Sequence, residues 1–449
     1  MLLSAKWIIP ITSDPIEDGA ILVSSNKIKK VGTRDELAGV FLNEPMIDLG
    51  QAVIMPGFVN SHSHLEFSAF KGLIEPSSFT TWIIQLIMRS RNLSTGDWDV
   101  SARLGAYMSI KSGVTCLGDI VSRGSGFKAL CSSGLRGVCF AEVIEMDEAK
   151  NNDTMANLIK KVEFWQEECL GSLVKVGISP HSLYAVNAPL LRRLSEWAKD
   201  EGLPISMHLA ESNEETAFVR DGKGMLAREY REFLGWDRFC MRETGLTPVR
   251  YAGQLGLLDN LIAAHCVQVS GEDIALLKRH NAAITYCPRS NSYLRLGIAP
   301  VVGFLDYDIS IGLGTDSLAS NEDIGLFGEM KHIDLVRNET KDFMQVLTFR
   351  KILEIATLGG AGVLGMEDQI GSLEEGKEAD LIAFELAESI HSIDELFEHC
   401  IRETSHGNVI FTMVAGKVLL DQGRGILPEV GKVACHVQRV IEKLQHPYC

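Results

Sequence analysis

The stretch Asn60-Ser61-His62-Ser63-His64-Leu65-Glu66 follows the apolar run Val53-Ile54-Met55-Pro56-Gly57-Phe58-Val59. In a strand, residues i and i+2 point to the same side, so His62 and His64 present two imidazoles to one point. Two rings so placed suit a metal ion, although a single His-x-His also reads as two solvated or hydrogen-bonded side chains. Three later segments carry matching partners: Met207-His208-Leu209-Ala210-Glu211, Ala264-His265-Cys266 and Gly314-Thr315-Asp316-Ser317. Imidazole and carboxylate donors favour one divalent metal per chain, Zn²⁺ or Fe²⁺, with one position kept for water. His62, His64, His208 and Asp316 are the expected ligands. Glu211, three residues beyond His208, reaches substrate rather than metal and suits a proton shuttle. Its alternative role is a carboxylate favoured by a helix N-terminus.

These residues need a frame that brings them together. Apolar strand candidates run over Phe58–His62, Val114–Ile120, Gly137–Val143, Val174–His181, Pro204–Glu211, Leu261–Val267, Ala282–Pro288 and Ile309–Asp316. Between several of them lie amphipathic segments, Thr154–Gln166, Pro189–Asp200 and Gly271–Arg279. Strand–helix alternation predicts parallel βαβ units in an α/β fold, and eight strands over this length predict a (β/α)8 barrel. No Gly-x-Gly-x-x-Gly follows an early strand, which argues against a dinucleotide-binding sheet. In a barrel of this kind reactive groups sit at the C-terminal strand ends. His62 and His64, His181, His208 and Glu211, His265, and Asp316 all fall there. His391, His399, His436 and His446 lie elsewhere and read as surface residues.

The two ends differ from the middle. Ala20–Val23 and Lys27–Gly32 read as short strands, and Val409–Val414 with Lys417–Leu420 as a hairpin turned at Ala415-Gly416. The predicted organisation is a barrel over 56–365 and a small β-sandwich built from 1–55 and 366–449, the latter also including a C-terminal tail.

Composition bounds the partners. With 46% hydrophobic and 23% charged residues over 449 positions, the chain is of ordinary globular type. A net charge of −16 without a basic cluster argues against nucleic acid or anionic membrane as partner. No apolar run approaches the ~18 residues of a membrane span, and residues 1–15 lack signal-peptide features. Ten scattered cysteines read as buried free thiols, giving a cytoplasmic expectation. The expected partner is a small heterocyclic substrate, and a homo-oligomer is left open.

The chain resembles the amidohydrolase superfamily, in its cytosine-deaminase-like and chlorohydrolase-like branch. The resemblance rests on Pro56–His64, Pro180-His181, His208–Glu211, Ala264–Val267, Cys287-Pro288-Arg289-Ser290-Asn291, Gly314–Ser317, and Gly371-Ser372-Leu373 with Ala379-Asp380-Leu381. It implies that His62, His64, His208 and Asp316 bind one metal and that Glu211 protonates a ring nitrogen. It further implies that Asp316 takes a proton from the attacking water, His265 steers that water, and His181 contacts substrate. Relatives with two metals use a carboxylated lysine on strand 4. Lys175 precedes His181 by six residues, at the wrong end of its strand, so one metal is expected.

Adenosine-type thioether deaminases of this branch resemble the chain around Trp82 but carry a ribose-binding Glu nine residues later, where this chain has Arg91. Glu66 is then the expected replacement for hydroxyl binding. The run His62–Lys71, Trp82 and Asp316–Asn321 is most similar to 6-aminodeoxyfutalosine deaminases of menaquinone biosynthesis, whose substrate joins an adenine-like ring and ribose to a benzoate. Arg89 and Arg91 are the expected carboxylate binders, their alternative being a solvated face of the helix 81–92. Deamination of adenosine, methylthioadenosine, adenosylhomocysteine, guanine or cytosine, and triazine dechlorination, are the rival reactions. A non-enzymatic scaffold would need a broken ligand set, and here every ligand is present.

Overall fold

A computed structural model describes residues 1–41, 44–239, 243–338, 341–386, 390–422, 424–425 and 430–445. All eight expected barrel strands are present: β1 Phe58–Ser63, β2 Val114–Val121, β3 Arg136–Val143, β4 Val174–Pro180, β5 Ser206–Leu209, β6 Ile262–His265, β7 Ala283–Tyr286 and β8 Ile311–Leu313. Neighbours pair in parallel from β5 through β8 to β1 and on to β4. A parallel bridge from Ile178 to Ile205 closes the ring. Every residue of β2 is buried, as expected of a strand covered on both faces.

The amphipathic segments are helices Asn151–Glu168, Ala188–Glu201 and Gly271–Arg279, each turning its leucines and other apolar residues inward. Thr81–Asn92 is instead Phe79–Ser90, started by Ser78, whose hydroxyl accepts from the Thr81 amide.

Strands from both ends of the chain form one nine-stranded sheet. Leu2–Ile8 lies beside Ala52–Pro56, which pairs antiparallel with Leu381–Glu385, which in turn pairs with Val409–Val414. Two helices interrupt the strand-and-turn character expected after residue 366, Ile393–Arg402 and Val430–Gln445. His399 is buried on the apolar face of the first, not a surface residue. His391 and His436 are exposed, and His446 lies outside the described residues. Among the described residues no helix is long and apolar enough to cross a membrane. The seven cysteines whose side chains are described are free thiols, six of them buried.

Barrel and terminal sheet meet through a buried ion pair. Arg136, at the start of β3, donates from Nε and Nη2 to the two oxygens of Asp380, at 2.7 and 3.1 Å. Asp380 also accepts from the Ala415 amide at 2.7 Å. Removing one member of a buried pair strands the other charge at a cost of about 3–5 kcal/mol. Asp380→Ala is therefore expected to lower the urea midpoint strongly, whereas the exposed Lys30–Glu375 pair should shift it little when Lys30 becomes Ala. Equal shifts in the two variants would show that Arg136 and Asp380 do not join the two parts.

Candidate active site

The C-terminal ends of β1, β5, β6 and β8 carry the donor atoms. Strand alternation puts His62 and His64 on either side of Ser63, which is bridged to Asp119 on one neighbour and to Asp316 on the other. The strand ends are bent into unusual backbone: φ is +51° at Ala210, +71° at His265 and +56° at Asp316. Left-handed conformations in non-glycine residues are costly and concentrate where a side chain must be aimed. Gly314 makes the room on β8, since a β-carbon there would lie 2.8 Å from Cβ of His62.

One donor atom each from His62, His208, His265 and Asp316 lies within 4.8 Å of all the others. His64 adds a fifth, its Nε2 being 3.3 Å from His208 Nε2 and 3.4 Å from Asp316 Oδ1. The expected ligand set with His64 and the tightest foursome with His265 thus share three members. Outer partners leave the right atoms bare. His208 Nδ1 donates to the His181 carbonyl at 2.9 Å, and His265 Nδ1 meets Asn291 Oδ1 at 2.8 Å. Ser290 and Ser320 donate to Asp316 Oδ2 at 2.6 and 2.9 Å, so Oδ1 faces the imidazoles. Both nitrogens of His62 and Nε2 of His265 are buried without a hydrogen-bond partner. Burial, reinforced by His208, holds His62 well below the usual imidazole range, so it presents lone pairs. Neutral imidazoles, an acceptor-only carboxylate and orphaned buried nitrogens fit one divalent ion of the zinc type. Lys175 is exposed near the start of β4, away from this cluster.

Glu211 stands beside the cluster, with Oε1 3.6 Å from His265 Nε2. Burial, then the Asp316 charge, push its carboxyl up to about 8, so it holds a proton at neutral pH. Its backbone is braced by Glu215, which accepts from the amides of Ala210 and Glu211 at 3.2 and 2.7 Å. His181 donates from Nδ1 to Glu142 Oε1 at 2.8 Å. Burial alone would raise Glu142, but the bond and charge of His181 hold it at about 2.

A cavity of 390 Å³ opens from this cluster, lined on one side by His64, His181, His208, Glu211 and Asp316. Its far wall is apolar and aromatic: Phe79, Trp82, Leu86 and Ile87 from the helix Phe79–Ser90, with Phe67 and Trp98. Trp82 Nε1 donates to the Ala319 carbonyl at 3.1 Å, docking that helix on the loop after β8.

Three expected substrate contacts are corrected. Glu66 is fully buried and does not line the cavity; its carboxylate is taken up by the backbone amides of Ser122, Arg123, Ser125 and Gly126. Arg89 points outward and donates to the Leu444 carbonyl at 2.8 Å. Arg91 lies over the Phe233 ring at 4.7 Å. The cation that lines the cavity is Arg123, its guanidinium 5.7 Å from the Trp98 ring. Sequence reasoning missed Arg123, Ser122 and Glu142, although each lies at or just past the end of β2 or β3, where the other site residues also sit.

Residues 53–419 match the model of the amidohydrolase family. The 5-methylthioadenosine/S-adenosylhomocysteine deaminase of Nitratidesulfovibrio vulgaris is 30% identical over 91% of this chain and 88% of its own length. In three dimensions the chain is similar to an adenosine deaminase from Xanthomonas campestris with bound zinc, with a TM-score of 0.85 and 23% identity over 99% and 98% of the two chains. It is also similar to Helicobacter pylori aminofutalosine deaminase in complex with methylthio-coformycin, with a TM-score of 0.80 and 22% identity over 93% and 100%. The chain belongs to the amidohydrolase family.

Proposed function

We propose that the protein is a hydrolytic deaminase of an aminopurine nucleoside that ends in a carboxylated aromatic group, 6-aminodeoxyfutalosine of menaquinone biosynthesis being the natural candidate. The observation that carries this reading is Arg123. Its guanidinium stands over Trp98 at the cavity wall, with no ion pair among the described residues. Guanidinium pairs with carboxylate, and aromatic walls suit a flat apolar spacer. The deaminase name of the 30% identical relative supports the reaction class. That relative's name also covers a thioether nucleoside with a carboxylate, which is the second reading.

A divalent ion held by His62, His64, His208 and Asp316 would supply hydroxide at neutral pH, by lowering the pKa of water towards ~7. The protein's own groups do the rest. Glu211 gives its proton to the ring nitrogen next to the amidine carbon, so that carbon accepts the incoming oxygen. His265, whose Nε2 belongs to the donor cluster and lies 3.6 Å from Glu211 Oε1, steers the water. Asp316 receives the water's proton and passes it to the amino group, which leaves as ammonia, while the new hydroxyl returns a proton to Glu211 as it becomes the oxo group. The products are the oxo-purine nucleoside and ammonia. His181, fixed by Glu142, donates to the ring from Nε2.

The strands before residue 56 and those after residue 366 form a small β-sandwich flanking a barrel over 56–365, with the C-terminal helix as a tail, a reading supported by the sheet that joins both ends. The free thiols support a cytoplasmic setting.

Ammonia release tests the reading, across a panel of the benzoate-bearing nucleoside, methylthioadenosine, adenosylhomocysteine, guanine, cytosine and a triazine. Arg123→Met removes a charge-assisted hydrogen bond worth about 1.5–3 kcal/mol. For the benzoate-bearing substrate kcat/KM is then expected to fall roughly 10–100-fold, with methylthioadenosine little affected. Normal turnover of the carboxylated substrate by this variant would refute the assignment.

Glu211→Gln keeps the size of the side chain but cannot donate an ionisable proton, so kcat is expected to fall roughly 10²–10⁴-fold with the metal retained. Because the reactive form of Glu211 is protonated, wild-type kcat/KM should decline as pH rises through about 8. The residual activity of Glu211→Gln should lack that decline. An unchanged basic limb in the variant would assign the proton to another group.

A further inference from the structure

The loop after β2 is shaped to bind an anion, and the chain supplies that anion itself. Gly124 turns the backbone with φ of +90°, and the amides of Ser122, Arg123, Ser125 and Gly126 converge on the Glu66 carboxylate. Ser122 donates at 3.0 Å, Arg123 at 2.8 and 3.1 Å to the two oxygens, Ser125 at 2.8 Å and Gly126 at 3.1 Å. Successive amides turned inward make an anion-holding concavity. A simple cap of the helix Ser125–Ser133 would engage only the first turn of that helix. Here the carboxylate also engages the two residues that precede Gly124, and these are the ones whose side chains line the cavity. The Arg123 side chain is exposed and lies over the Trp98 ring, while its backbone amide is bonded to both oxygens of Glu66.

Glu66 itself sits two residues beyond His64. The same segment is held from its other side by Asp119, whose Oδ1 accepts from Ser63 Oγ at 3.1 Å and from the Leu65 amide at 2.8 Å. The turn that delivers the His62–His64 pair and the loop that delivers Arg123 are therefore bonded to one short run, residues 63–66.

We infer that Glu66 is a specificity-positioning residue: it fixes the 122–126 loop so that Arg123 meets the substrate carboxylate at a set distance from the reacting carbon. This rests on the reading that Arg123 recognises a carboxylate. Glutamine at position 66 would turn an N–H₂ group against a ring of N–H donors, and the loop would have to move.

The test compares the zinc-loaded wild type, Glu66→Gln and Arg123→Met on the benzoate-bearing nucleoside and on its neutral methyl ester. Wild type should prefer the acid. In Glu66→Gln, KM for the acid is expected to rise about tenfold or more, with kcat changed much less, and the acid-over-ester preference should collapse. A merely structural role would lower kcat for acid and ester alike and leave their ratio in place, which would overturn the inference. If Arg123→Met keeps the preference, the carboxylate reading fails, and the inference with it. If Arg123→Met loses the preference and Glu66→Gln keeps it, the reading stands and the positioning role fails. Should Glu66→Gln not fold, amide exchange on the wild type decides. The amides of Ser122, Arg123, Ser125 and Gly126 should be strongly protected although they lie in a loop and at a helix start, and rapid exchange at these four would contradict the role.

Discussion

Buried donor atoms with no hydrogen-bond partner among the described residues are the constraint on which the site depends. His62 has neither nitrogen bonded, His265 leaves Nε2 bare, and Asp316 turns Oδ1 towards them. A buried polar atom left without a partner costs about 1–3 kcal/mol, and several such atoms facing one another add to that. The fold tolerates the cost only because the barrel's strand ends hold the side chains there, three of those ends in left-handed backbone. A divalent cation offsets the deficit in one step, which is why metal binding and stability of this mouth are coupled.

Around that centre each residue is aimed by another. His181 lends its carbonyl to His208 and its ring to the cavity, and Glu142 fixes that ring. Asn291 orients His265, while Ser290 and Ser320 select which oxygen of Asp316 faces inward. Glu215 braces the peptide that carries Glu211. Several of these partners lie in the Cys287–Asn291 run and, with Ser320, just past Asp316, so residues that do no chemistry themselves set the geometry of those that do. The apolar wall is a separate matter. Most of it is one helix, Phe79–Ser90, docked through Trp82 on the loop after β8 and through Arg89 on the C-terminal helix.

The barrel was legible because its signals are local. Buried parallel strands are short apolar runs, and alternation puts His62 and His64 on one side whatever else the chain does. The eight strand ends then follow from topology, and with them the convergence of His208, His265, Glu211 and Asp316. Side-chain direction at a helix or turn was not legible. Arg89 sits on the right helix but faces away from the cavity, since Phe79, Trp82, Ile83 and Leu86 claim the inward side, and Arg91 lies just past the helix end. Glu66 follows the metal pair in sequence, yet the short helical turn Leu65–Phe70 rotates it away from the cavity and into the backbone of the next loop. Arg123 was passed over because Ser122–Gly126 reads as an ordinary turn, and only the three-dimensional neighbourhood of Trp98 gives it meaning. His399 and the C-terminal helix escaped for a related reason: a helical face is recognised by what it packs on, and that partner is distant in sequence.

Elemental analysis of the purified chain, stripped with chelator and reconstituted with zinc, tests the central claim most directly, with His62→Ala beside the wild type. The account predicts one tightly held divalent ion per wild-type chain and its loss in His62→Ala, with the variant's circular dichroism unchanged. Two tightly held ions per chain, or one ion retained by the variant, would contradict it.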